Sequence, residues 1–419
     1  MLVKNARFVV TPGGILENHD ILIEDGRITR TAKGLKPAGE VVDASGKLVM
    51  PGLVNTHTHS PMVLFRGAGD DMPLMEWLEK KIWPMEEKLT EDDLAAGMEL
   101  ALLEMIRSGT TSFCDMYWFS EGAVGAVKKA GIKAVLSWAL VDKERTSQKG
   151  DPLRLAEGFI RKWKGDPLVK PSVGPHAIYT CSKETLSAAK SISEKHGVVN
   201  HVHLSETRKE VDDSMKKNGL RPAEYLRKIN FFTNRTLAAH SVWLNDGEIN
   251  ILARTGVSVS HCPASNMKLA SGVMPLSKLQ KAGVNVSLGT DGAASNNTLD
   301  MFDTMRLAAL LHKVGEMDPL AAKASDVLKM ATVNGAKALG INSGEIKPGK
   351  DADILILDIN KAHWKPTWDV VSNLVYSAKS TDVETVIANG KVVMDKGRVM
   401  GLDQGKVFEE AEKVKARFV

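Results

Sequence analysis

Four short segments spread along the chain each end in residues that bind metal ions or carry protons: His57-Thr58-His59, His203 with Glu206, His240, and Asp291. Imidazoles and carboxylates together are the donor types of a hydrolytic metal centre, with a further carboxylate left over for proton traffic. His57 and His59 are two apart, and residues i and i+2 of a strand share a face, so both rings can reach one ion. An isolated pair of this kind is more often two ordinary polar residues, and His201-Val202-His203 is a second example in the same chain. Within that second pair His203, three residues before Glu206, is the expected ligand, and His201 is expected to be structural or to lie beside the site. Asp291 stands in Leu288-Gly289-Thr290-Asp291-Gly292, where a carboxylate can bind metal and accept a proton from water, although Asp-Gly is also a common turn pair. His240 alone would read as a satisfied core histidine. His261 is expected to support a loop. Taken as a set, three nitrogens and one oxygen suit Zn²⁺ and leave room for a water whose pKa the ion lowers towards roughly 7. Val173-Gly174-Pro175-His176 offers no lysine to bridge a second ion, so one metal is expected. The same donors also accept Fe²⁺.

The elements that must position these residues follow from the pattern between them. From about residue 50 to 340, strand-like and helix-like stretches alternate. The candidate strands are 48–59, 110–116, 133–141, 169–177, 198–206, 236–242, 257–266 and 284–292. Several are nearly continuous apolar runs, as buried parallel strands are. One helix is well marked: Thr90 and Asp93 form a variant capping box, Leu94, Met98, Leu102 and Met105 recur at helical spacing, and Gly109 ends it. Eight strands with intervening helices predict an α/β fold, a (β/α)8 TIM-type barrel. Active sites in that architecture lie at the C-terminal ends of the strands. His57 and His59 end strand one, His176 strand four, His203 and Glu206 strand five, His240 strand six and Asp291 strand eight. Both chain ends are β-rich, with Ala6–Val10, Asp20–Glu24, Asp353–Asp358 and Val383–Ala388 bounded by turn signals such as Asn389-Gly390. They predict one small β-sandwich built from both termini (1–49 and 344–419, with a C-terminal helix) around a barrel at 50–343. Two separate appendages are the alternative.

The chain has 419 residues, 43% hydrophobic and 25% charged, with 55 basic against 51 acidic residues and a net charge of +4. That near balance gives no reason to expect nucleic acid or an acidic membrane as partner. Cys114, Cys181 and Cys262 are few, odd in number and lack CxxC spacing. A disulfide framework is not expected, and a reducing compartment fits. The opening MLVKNARFVVTPGG carries no long apolar core, and no apolar run reaches the length of a membrane span. A cytoplasmic location is expected.

The segments LVMPGLVNTHTHSPMVLFRG, HLSET, SHCPASNMKL, LGTDGAASNN and GEIKPGKDADILILD together resemble the amidohydrolase superfamily. More narrowly they resemble its S-adenosylhomocysteine/5′-methylthioadenosine deaminase family, which includes 5′-deoxyadenosine deaminases. The resemblance implies a zinc-bearing barrel with a small β-sandwich, and a homo-oligomer, as a tetramer. It implies His57, His59, His203 and Asp291 as metal ligands, Glu206 as the proton-shuttling acid, and His240 beside the hydrolytic water. It implies further that Glu86 grips the ribose hydroxyls and that His176 contacts the substrate. Without the family, Glu86 in its charged run would read as a solvated face. Where the family often carries arginine after strand three this chain has Trp138; Arg154, with Arg145 nearby, is the candidate for a second arginine that the resemblance places at the substrate. Trp138 in that place is expected to favour nucleosides with small apolar 5′ ends, because a substrate carboxylate is best met by arginine.

The implied reaction replaces the purine 6-amino group by oxygen, Glu206 protonating ring N1 and Asp291 taking the water proton with help from His240. Two other readings fit parts of the pattern. One is a related hydrolase acting on guanine or a chlorotriazine, which would need no ribose grip. The other is a scaffold that keeps the fold without catalysis, which predicts decayed ligands.

Overall fold

The computed structural model describes residues 1–37, 39–119, 121–142 and 150–418. Its middle is an eight-stranded sheet in sequential order with every neighbouring pair parallel. The strands are Leu53–Thr58, Thr110–Tyr117, Lys133–Leu140, Val169–Pro175, Asn200–Leu204, Thr236–His240, Ser258–His261 and Asn285–Leu288. Helices return the chain between most of them, so the TIM-type barrel is observed as expected. The helix at Glu91–Arg107 carries the Thr90/Asp93 capping box, and Gly109 beyond it has φ +86°.

The first and last strands complete the circle through side chains as much as backbone. Thr56 Oγ1 donates to the Leu288 carbonyl at 2.8 Å, Asn55 Nδ2 to Thr290 Oγ1 at 2.7 Å, and the Asp291 amide to the His57 carbonyl at 2.9 Å. Gly289 is required at this seam, since a Cβ there would sit 2.9 Å from the His57 amide nitrogen.

The strands of both termini form one nine-stranded sheet, in which Leu48–Pro51 pairs antiparallel with Ile354–Leu357 and parallel with Leu2–Thr11. Two separate appendages are thereby excluded. The Asn389-Gly390 hairpin joins Val383–Ala388 to Lys391–Asp395, both turn residues at positive φ. Period-two alternation divides the side chains of this sheet. Val49, Ile354, Ile356 and Ile387 enter a small core of its own. Leu48, Met50, Leu355, Leu357 and Val386 join the barrel's core. The stretch 48–59, read from sequence as one strand, is two. It breaks at Gly52, where the chain leaves the terminal sheet for the barrel and where a Cβ would collide with Thr111 Oγ1.

One charge cluster links the two sheets. Lys133, at the start of barrel strand three, is 2.7 Å from Asp353 and 3.3 Å from Asp351. Asp353 is fully buried and also accepts the Asn389 amide at 2.7 Å. Removing one partner of a buried pair leaves an uncompensated charge. Lys133→Met is therefore expected to destabilise the fold by roughly 3 kcal/mol, seen as a lowered thermal midpoint that Lys133→Met/Asp353→Asn partly restores.

Candidate active site

Three imidazoles meet at the C-terminal mouth of the barrel, and their hydrogen bonds fix which nitrogens face inward. A carbonyl can only accept, so His59 Nδ1 donates to the Met116 carbonyl at 2.7 Å and His203 Nδ1 donates to the His176 carbonyl at 2.8 Å. Each ring therefore turns an Nε2 lone pair to the centre, where the two Nε2 atoms lie 3.4 Å apart. His57 Nδ1 is engaged by His201 Nε2 at 2.9 Å, and His57 Nε2 is buried with no hydrogen-bond partner. Burial above all, with His59 close by, holds the His57 ring down to about 4, and burial holds His203 well below the ordinary histidine value. Asp291 Oδ1 lies 3.4 Å from Nε2 of both His57 and His59. Converging imidazole nitrogens, facing a carboxylate in a buried place, form a donor set suited to a divalent cation. The donor atoms of His57, His59 and His203 lie within 4.8 Å of one another, as do those of His57, His240 and Asp291.

The residues around this set orient it. Asp291 Oδ2 accepts from Ser265 Oγ at 2.6 Å and Ser295 Oγ at 2.9 Å, while Oδ1 accepts the Gly292 amide at 2.7 Å. His240 Nδ1 donates to Asn266 Oδ1 at 2.9 Å, leaving Nε2 to face Glu206 at 3.8 Å. Burial pushes the Glu206 carboxyl above its ordinary value; His240 opposes this and Asp291 adds to it. Ser205, His240, Ser241 and Asp291 all have φ between +48° and +66° without being glycine. Such left-handed residues cluster where a site constrains the backbone.

The site opens into a cavity of about 730 Å³, a size suited to a small-molecule ligand. Its roof is the helical run Leu74–Trp77, Leu78–Ile82 and Trp83–Glu86. Apolar lining comes from Trp77, Leu78, Trp83 and Trp118. Glu86 is half-buried on the cavity wall and accepts from Tyr117 Oη at 2.7 Å. Burial pushes its carboxyl up to about 7, against the opposing hydrogen bond from Tyr117.

All the proposed ligands, together with Glu206, His240, Glu86 and His176, border this one cavity or, as His57 does, its buried floor. His201 and His261 fall behind it as supports, His261 facing His312 with Nε2 atoms 3.0 Å apart. Two residues expected at the substrate are elsewhere. Ser137 bonds Ser172 at 2.6 Å and His201 at 3.2 Å inside the barrel, so Trp138 beside it points outward. Its ring packs tilted against Phe159 and edge-on to Phe119, with centroids 5.3 and 6.4 Å away, and does not line the cavity. Arg154, in the first turn of helix Pro152–Trp163, is exposed and also off the cavity wall. Arg145 lies outside the described residues. Sequence reasoning missed Tyr117, Ser265, Asn266 and Ser295. The last three stand inside the quoted SHCPASN and LGTDGAAS segments, which was the available signal.

Residues 48–393 match the Amidohydrolase family. The chain belongs to that family. It is 48% identical over 425 residues to a 5′-deoxyadenosine deaminase from Methanosarcina barkeri, covering 100% of this chain and 98% of the relative. A 5-methylthioadenosine/S-adenosylhomocysteine deaminase from Thermococcus onnurineus is 49% identical over 399 residues, 94% of each chain. Among solved structures, an adenosine deaminase from Xanthomonas campestris with bound zinc superposes with a TM-score of 0.96 at 35% identity, covering 99% of this chain and 98% of that one.

His201 holds His57 in place without touching the centre of the donor set. A partner that orients a ligand typically changes metal affinity when removed. His201→Asn is expected to weaken divalent-metal binding by about 10- to 100-fold, measured by competition with a chromogenic chelator.

Proposed function

We propose that the protein is a metal-dependent aminohydrolase that converts adenosine-type nucleosides to the inosine analogues with release of ammonia. The observation that carries this reading is the convergence of the inward-facing imidazole Nε2 atoms and Asp291 on a cavity floor that also holds Glu206 and His240. The full-length relatives at 48–49% identity support it. Zinc is the proposed ion, one per subunit, held by His57, His59, His203 and Asp291. Bound there, it would supply a Lewis acid and lower the pKa of the attacking water.

The chain's own residues supply the rest. Water adds at purine C6 and the 6-amino group leaves as ammonia. Asp291 Oδ1 is free of the serine hydroxyls that hold Oδ2, which suits it to take the water proton. Glu206, its carboxyl raised by burial, is the group that gives a proton to ring N1 as the ring loses aromaticity. His240, anchored by Asn266, turns Nε2 to the water and supports developing charge. Glu86 accepts the ribose hydroxyls, and His176 lines the substrate's path.

Among the described residues lining the cavity there is no arginine, and Lys209 is already paired with Asp213 at 2.5 Å. This supports a preference for small apolar 5′ substituents, carried by Trp77, Trp83 and Trp118 rather than by Trp138. We infer further a cytoplasmic homo-oligomer, as a tetramer. Three buried free cysteines agree with a reducing compartment, and no described helix is long and apolar enough to cross a membrane.

The decisive measurement is ammonia release by zinc-loaded protein from 5′-deoxyadenosine, methylthioadenosine, S-adenosylhomocysteine, adenosine, adenine, guanine and a chlorotriazine. Activity confined to the adenosine derivatives is expected, with Glu206→Gln losing turnover far more than binding. Activity on guanine or triazine alone would overturn the substrate assignment. Glu86 also makes the reaction pH-dependent. Its carboxyl is protonated below about 7 and ionised above, and the ionised form is the better acceptor for two hydroxyls. kcat/KM is expected to fall as pH drops through that value. Glu86→Gln should remove this limb and raise KM by roughly tenfold or more at pH 8.

A further inference from the structure

Glu210 stands at the third position of helix Arg208–Asn218, whose N-cap is Thr207. In a capping box the acid at this place reaches back to the N-cap amide. Here it reaches further. One carboxylate oxygen accepts the Ser205 amide at 2.9 Å and the other accepts the Glu206 amide at 2.8 Å. The turn so held is strained, because Ser205 has φ +48°. On its other side the Ser205 carbonyl accepts the amides of Val242 and Trp243 at 3.1 and 2.9 Å. The Ser205–Glu206 peptide therefore has its N–H, and the amide before it, clamped by one side chain, and its own carbonyl clamped by the loop after strand six. Glu210 is only 5% exposed. A buried carboxylate is costly unless its oxygens are satisfied, and here each oxygen meets one of two consecutive amides. A helix cap alone would not need both.

We propose that Glu210 is a positioning residue for the reaction, its carboxylate locking the left-handed turn that aims Glu206 at the substrate ring. The inference rests on Glu206 being the proton-transferring acid of the deaminase reading. Glu210 borders the same cavity, but its two oxygens are taken by the Ser205 and Glu206 amides, so it acts through Glu206. Losing the clamp lets the Glu206 backbone relax and moves its carboxyl relative to ring N1. Groups that bind the ribose and the metal are untouched, so the loss falls on turnover.

The test compares wild type, Glu210→Gln, Glu210→Ala and Glu206→Gln, with kcat and KM for 5′-deoxyadenosine expressed per zinc-loaded subunit. Glutamine keeps the size and one acceptor but presents N–H to the second amide. The expected result is a fall in kcat of roughly 10- to 100-fold for Glu210→Gln, with KM within about threefold of wild type and bound zinc unchanged. Glu210→Ala should lose more, and if it does not fold Glu210→Gln alone decides. A merely structural residue would lower the folded, zinc-loaded fraction and leave kcat per loaded subunit intact. That outcome, with Glu206→Gln inactive, would overturn the role of Glu210 while sparing the deaminase reading. A zinc-loaded wild type silent on every adenosine derivative would instead overturn the reading and this assignment with it.

Discussion

A barrel closes only when its first and last strands meet, and in this chain that seam also assembles the proposed reactive centre. His57 and Asp291 come from opposite ends of the barrel sequence. They are brought together because the Asp291 amide bonds the His57 carbonyl and because Asn55 and Thr290 are tied across the same gap. Thr56 on the neighbouring position reaches Ser260, Ser287 and the Leu288 carbonyl. These polar contacts lie in a fully buried place, where each unmade hydrogen bond would carry its whole desolvation cost. The seam is thus both a stability element and the ruler that sets the spacing of the donor atoms. Misregister by one residue would turn His57 and His59 to the wrong face.

Backbone strain and polar support are found together. Ser205, His240, Ser241 and Asp291 sit in the left-handed region at the ends of strands five, six and eight. Each such residue costs about 1–3 kcal/mol and persists only where its surroundings overdetermine it. The surroundings here are identifiable: the bonds from Ser265 and Ser295 to Asp291, from His240 to Asn266, and between the loops after strands five and six. The large apolar core beneath supplies the stability against which this local strain is held. The reacting groups inherit fixed directions as a result, which is what preorganised catalysis requires.

Much of this was legible in sequence, for reasons that differ by residue. His57, His59, His203 and Asp291 were readable because each follows an apolar strand, so pattern and chemistry pointed to the same ends. The Thr90 capping box and the Asn389-Gly390 hairpin were readable because their signals are local. Trp138 was placed at the substrate by the resemblance, at a position where the family often carries arginine, and strand alternation corrects this only once Ser137 is seen bonded to His201 and Ser172 inside the barrel. Pro51-Gly52 is a break signal in its own right, but the apolar residues Leu48-Val49-Met50 and Leu53-Val54 on either side read as one run, and only their distant partners separate them. The ties between Asn55 and Thr290 have no local signature at all, since they depend on closure.

The sheet shared by both termini has a consequence for how the chain reaches its fold. The strand that leads into the barrel, Leu48–Pro51, pairs with Ile354–Leu357, and Lys47 meets Glu384, 337 residues further on. During synthesis, which proceeds at roughly 5–20 residues per second, the early strands leave the ribosome long before their partners exist. Until then Leu48, Val49 and Met50 have an open edge, of the kind that attracts wrong pairing. The late C-terminal strands act as a latch, and the nascent chain is most exposed to aggregation in the interval before it closes.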